Sequence, residues 1–143
     1  MNIHQKIYVV LDTNVIVAGL LSSKKDSATV LVLEYLFEKK FTLLLTQDIL
    51  LEYQKVLSRS KFSFSKELIT GFLSVIDKLA EKVTPVSSEI KLTDMNDLPF
   101  YEAALSRGTE SVYLVTGNNK HFPPESFIVT PRRFLEIIEE ENI

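Results

Sequence analysis

The sequence predicts an α/β fold, a three-layer α/β/α sandwich around a central, mainly parallel sheet of about five strands. Three observations predict it. Short, continuously apolar runs alternate with longer stretches of helical periodicity, the pattern of chains built from β–α–β units. The 143 residues are the size of one ordinary domain, which buries roughly two-thirds of its unfolded surface. The hydrophobic content is 45% with no cysteine, so the core must hold without disulfides and no thiolate can bind a metal. With no internal repeat, low-complexity tract or linker, residues 1–143 are expected to form a single domain.

Ile7 to Leu11 is continuously apolar and rich in β-formers, as expected of a strand covered on both faces. Phe41 to Leu45, Val112 to Val115 and Phe127 to Val129 have the same character, and Val83 to Val86 is a shorter candidate. Between them lie the helices. Val15 to Leu21 follows the first strand. Ala28 to Lys39 places Val32, Tyr35 and Leu36 on one side, with Glu34, Glu38 and Lys39 on a wet face. Gln47 to Ser58 carries Ile49, Leu50, Tyr53, Val56 and Leu57 at helical spacing, and Lys66 to Lys82 repeats the pattern from Leu68 to Leu79. Leu98 to Arg107 has Pro99 in its first turn, where a missing N–H does no harm, and Gly108 stands where a helix would end. Pro131 opens a last helix running to about Glu140.

The formal net charge is −3, which argues against holding nucleic acid by overall positive potential. It leaves room for a metal-dependent enzyme, whose clustered carboxylates count against the total. Residues Met1 to Lys6 lack the layout of a signal peptide, and Asp12, Thr13 and Asn14 interrupt the apolar run from Ile7 to Leu21. The expectation is a cytoplasmic protein with no membrane span.

In open α/β sheets, ligands bind outside the carboxyl ends of the strands. Asp12 directly follows the first apolar run, and by position alone it suits a helix N-cap. What shifts the balance is how many other carboxylates should reach the same edge. Glu52 lies three residues after Ile49 and four before Val56, bordering the face turned toward the sheet. A carboxylate there is costly unless paired or metal-bound, though an exposed flank would also suit it. Asp97 immediately precedes the helix at Leu98, a position for an N-cap that could still point one oxygen into a crevice. Asp94 reads as a loop residue or a further ligand. In Thr116-Gly117-Asn118-Asn119, Gly117 permits a tight turn or a close approach. Asn118 offers a neutral oxygen or is simply a turn residue. Mg²⁺ and Mn²⁺ prefer oxygen ligands and keep several waters. Two such ions roughly 4 Å apart can activate water and stabilise the leaving oxygen of a phosphodiester.

Together these segments resemble the PIN-domain family. Val9-Val10-Leu11-Asp12-Thr13-Asn14-Val15 is similar to the family's opening, and Leu51-Glu52-Tyr53 to its second acidic position. Asp94 to Phe100 with Ala103-Ala104 resembles its third acidic segment. Tyr113 to Asn118, extended by His121-Phe122-Pro123, resembles its Val-Thr-Gly-Asp element. The likeness runs from about residue 6 to residue 135. It implies a Mg²⁺- or Mn²⁺-dependent endoribonuclease acting on single-stranded or structured RNA. It further implies the toxin of a bacterial toxin–antitoxin pair, neutralised by a small antitoxin protein and possible as a homodimer. Asp12, Glu52 and Asp97 inherit the metal-ligand role, and Asn14 a supporting polar one. The family's fourth acid corresponds here to Asn118, a loss of charge that should weaken a second metal site.

Thr13, Asp94, Thr116, Lys120 and His121 complete the candidates for supporting or substrate-contacting roles. Arg107 lies near the same edge, and Arg59, Lys61, Arg132 and Arg133 are candidate basic patches. Two rivals fall away. A haloacid-dehalogenase phosphotransferase needs a second aspartate where Asn14 stands; a response-regulator receiver needs a phospho-acceptor aspartate ending a central strand, and no apolar run other than the first ends that way. A third reading is a PIN-fold module that binds RNA or a protein with little catalysis, and Asn118 favours it.

Overall fold

The computed structural model describes residues 6–108 and 111–141; the start of the terminal segment read above, residues 1–5, lies outside them. Five strands form one sheet in the order β3-β2-β1-β4-β5, all of them parallel. They are β1 (Tyr8–Leu11), β2 (Thr42–Leu45), β3 (Glu81–Lys82), β4 (Val112–Val115) and β5 (Ile128–Val129). The apolar runs become strands because helices on both sides remove each side chain from water. Val9, Val10, Leu11, Leu43, Leu44, Leu45, Leu114 and Val115 are completely buried. Burying each such side chain contributes roughly 1.5–3 kcal/mol.

Six helices make the outer layers: α1 (Thr13–Leu21), α2 (Ala28–Phe37), α3 (Gln47–Leu57), α4 (Lys66–Leu79), α5 (Leu98–Ala104) and α6 (Pro131–Glu141). Helix α2 packs with α1 and α6, while α3 packs with α4 and α5. Side-chain caps start several of them. Ser27 accepts from the Val30 amide, Thr46 from Ile49 and Ser65 from Leu68, each satisfying one orphan donor. Helices α1 and α2 approach so closely that a Cβ on Gly19 would lie 2.5 Å from Leu33 Cδ1 and 3.0 Å from the Thr29 carbonyl oxygen. A larger residue would require Leu33 to shift. Helix α6 docks through the fully buried Phe134, set edge-on to Phe41 with ring centroids 5.2 Å apart. No described helix is long and apolar enough to cross a membrane.

The larger departures from the sequence reading each have a local reason. Helix α4 stops at Leu79 because Ala80 turns extended (φ −78°, ψ 152°), and the chain pairs at once as β3. Strand β3 is therefore Glu81–Lys82 and not Val83 to Val86, with Leu44 opposite Glu81. Helix α5 ends at Ala104, short of Arg107, and Gly108, at φ +73°, closes a later turn onto the Leu105 carbonyl. Helix α2 ends at Phe37, and Lys39 takes the left-handed conformation, φ +61°, that usually calls for glycine.

The strand order reverses between β1 and β4, the switch point where open α/β sheets form their crevice. The register puts Leu11 opposite Val115. Asp12 and Thr116 therefore leave the sheet side by side.

Candidate active site

Asp12 is anchored twice to the end of β4. Its amide donates to the Val115 carbonyl at 2.9 Å, and its Oδ2 accepts from the Thr116 hydroxyl at 2.7 Å. The Asn118 amide donates to Thr116 Oγ1 at 3.0 Å, which leaves the single hydroxyl proton for Asp12. Asp12 thus makes no capping hydrogen bond to α1, against the reading suggested by position alone. It is 5% exposed. Burial pushes its carboxyl above the usual range, opposed first by the Thr116 hydrogen bond and then by the Thr13 and Asn14 amides and the His121 charge.

Helix α3 presents Glu52, half-buried, to the same crevice. The next residue faces the core: Tyr53 is fully buried and its hydroxyl donates to the Leu11 carbonyl at 2.6 Å. Burial, and secondarily the Asp12 charge, hold that phenol protonated well above its usual range. The Phe100 ring of α5 lies 6.3 Å from the Tyr53 ring. One tyrosine therefore touches the strand before Asp12, the helix bearing Glu52 and the helix after Asp97.

Asp97 ends a 3-10 turn, Met95–Asp97, that Asp94 caps by accepting from the Asn96 amide at 3.0 Å. Asp97 makes no capping bond to α5, so its N-cap role is not realised. Its Oδ2 lies 3.4 Å from His121 Nδ1. Burial, then the Asp12 and Asp94 charges, push its carboxyl up to about 6, against the opposing pull of His121. Four carboxylates thus converge on a cavity of about 460 Å³, lined by Asp12, Glu52, Asp94 and Asp97 together with Thr13, Asn14 and Asn96. Arg59 and an apolar wall of Val17, Ala18, Leu21, Val56, Phe62 and Phe100 complete it.

The donor set suits a hard divalent cation. The donors on offer are oxygens, Asp12 and Asp94 raise the proton affinity of Asp97, and the buried Thr13 hydroxyl finds no hydrogen-bond partner among the described residues. Among the described residues no three acidic or histidine groups close into a ready-made ligand cluster.

Not every sequence candidate reaches the cavity. Asn118 and Lys120 are exposed and do not line it. Asn118 acts through its backbone, on Thr116. Thr116 and His121 sit behind the carboxylates, as partners of Asp12 and Asp97. Gly117 has no left-handed backbone, and a Cβ there would meet Asn14 at an ordinary 3.7 Å, so neither reason offered for a glycine applies. Three residues join the site unanticipated. Arg59 carries a faint signal, lying seven residues, two helical turns, after Glu52. Tyr53 has none, since a core tyrosine and a clamping one look alike in sequence. Asn96 has none either.

A family model described as PIN domain matches residues 8–120, most of the chain. No curated protein matches it.

Proposed function

The chain belongs to the PIN-domain family, whose members are typically nucleases, and from that premise we propose a divalent-metal-dependent endoribonuclease. The observation that carries the reading is the convergence of Asp12, Glu52 and Asp97, from three separate segments, on one cavity at the sheet's switch point.

Asp12, Glu52 and Asp97 would hold Mg²⁺ or Mn²⁺, with Asn14 and the unpartnered Thr13 hydroxyl beside them. Such an ion, when bound, lowers the pKa of water and stabilises charge on phosphoryl oxygens. The chain's own residues supply the positioning. Thr116 donates a hydrogen bond to Asp12 Oδ2 and so holds the orientation of that carboxylate. Tyr53 locks the peptide before Asp12. His121 steadies Asp97 from behind. Hydrolysis adds water across one P–O bond of the RNA backbone and leaves two shorter strands.

Within this reading the biological role is that of a toxin neutralised by a small antitoxin protein, whose arginine would find an acidic crevice to enter. Growth upon expression tests it. Wild type should arrest growth and Asp12→Asn should not. Arrest by both would favour the second reading, a catalytically weak module that binds RNA or a protein. The exposed, uncharged Asn118 outside the cavity favours that alternative.

A further inference from the structure

The cavity lining is chemically mixed, and the metal-site reading uses only its acidic residues. Arg59 also lines it, just beyond α3, where the chain turns extended (φ −64°, ψ 132°) into the 3-10 turn Ser60–Phe62. Arg59 shares the cavity with four carboxylates, yet its guanidinium has no ion pair or side-chain hydrogen bond among the described residues. A cation that no neighbouring acid neutralises is available to an anion brought in from outside. Guanidinium matches phosphate in geometry.

Phe62, Val17 and Leu21 line the same cavity with apolar side chains, and Leu21 is 51% exposed. Phe64 braces Phe62, the rings stacked at 26° with centroids 5.9 Å apart. The Lys61 ammonium lies 5.0 Å from the Phe62 ring centroid, so a second cation adjoins that ring. Ser63 follows in the left-handed conformation, φ +56°. Cations interleaved with an aromatic are the elements by which proteins hold single strands, charge for the backbone and a flat apolar surface for the base. The cavity's 460 Å³ lies within the roughly 300–1,000 Å³ of small-ligand pockets.

We infer that Arg59, Phe62 and Leu21 form a subsite for one unpaired nucleotide next to the cleaved bond. Arg59 pairs with its phosphate, and the Phe62–Leu21 wall receives its base. The inference deepens the ribonuclease reading and takes its substrate class from it. It selects single-stranded RNA over duplex, because bases stacked inside an A-form helix cannot reach such a wall.

The test measures binding of a short labelled single-stranded RNA, and of the same sequence as a duplex, to the full chain at several salt concentrations. An Asp12→Asn background keeps the RNA intact. Arg59→Ala should weaken single-strand binding and lower the slope of log K against log salt by about 0.7, the loss of one phosphate contact. Phe62→Ala should weaken it roughly 5- to 150-fold with the slope unchanged. Phe62→Leu, which keeps apolar bulk, should fall between, and circular dichroism checks that each variant is folded. Unchanged affinity and slope in Arg59→Ala, or a duplex bound as tightly as the single strand, would overturn the inference. So would an Asp12→Asn protein that binds no single-stranded RNA. Failure here is separable from failure of the nuclease reading. RNA cut by wild type with Arg59 indifferent defeats only the subsite; RNA bound through Arg59 but never cut defeats only the catalysis.

Discussion

Asp97→Asn should make the metal-free protein more stable at neutral pH while removing a residue assigned to hold the metal. Asp97 has its carboxyl pushed from the usual 3.8 up to about 6, chiefly by burial and then by Asp12 and Asp94. An acid whose folded pKa exceeds its unfolded one binds its proton more tightly when folded. Between the two values the folded state therefore carries more protons, and stability falls as pH rises. The cost is absent below about pH 4 and complete above about pH 6. At about 1.4 kcal/mol per unit the limit is about 3 kcal/mol, and water reaching the crevice reduces it to about 1–2 kcal/mol. Asparagine keeps the shape and removes the charge. In chelator at pH 7.5 the variant should melt about 3–8 °C above wild type, and the gap should close toward pH 4. A gap of the opposite sign, or one that does not change between pH 4 and 7.5, would refute the argument that crowded carboxylates strain the empty fold.

Two further outcomes follow from the geometry. Tyr53→Phe removes one buried hydroxyl and its 2.6 Å bond to the Leu11 carbonyl, which should cost about 1–3 kcal/mol in urea unfolding and weaken Mn²⁺ binding by calorimetry; unchanged values in both would show that the clamp does not position Asp12. Asn118→Asp adds an exposed carboxylate while keeping the amide bond to Thr116, so Mn²⁺ affinity should rise about 1.5- to 5-fold, the reach of an exposed charge; an unchanged calorimetric affinity would show that position 118 does not address the ion.

The carboxylates were legible because their positions are local facts. Asp12 ends an apolar strand, Asp97 precedes a helix, and Glu52 sits at the edge of an amphipathic face. What each side chain does was not legible, because its partner is remote. Asp12 forgoes its cap for Thr116, 104 residues away, and Tyr53 reaches a carbonyl 42 residues away. Strand β3 was misplaced for a related reason. Its two residues, Glu81 and Lys82, are polar at a sheet edge, and pairing with Leu44 and Leu45 makes them a strand. The end of α4 carries no glycine or proline to announce it. Arg59 lies past the end of α3, so its helical spacing from Glu52 is only a weak guide to its place in the cavity.

The central claim is that these carboxylates serve RNA hydrolysis, and cleavage of a mixed single-stranded RNA pool tests it most directly. Purified protein would be assayed with Mg²⁺, with Mn²⁺ and with chelator, beside Asp12→Asn. The account predicts cutting with at least one of the two ions, none in chelator and none by the variant. RNA left whole with both ions, or cut equally well by Asp12→Asn, would contradict it.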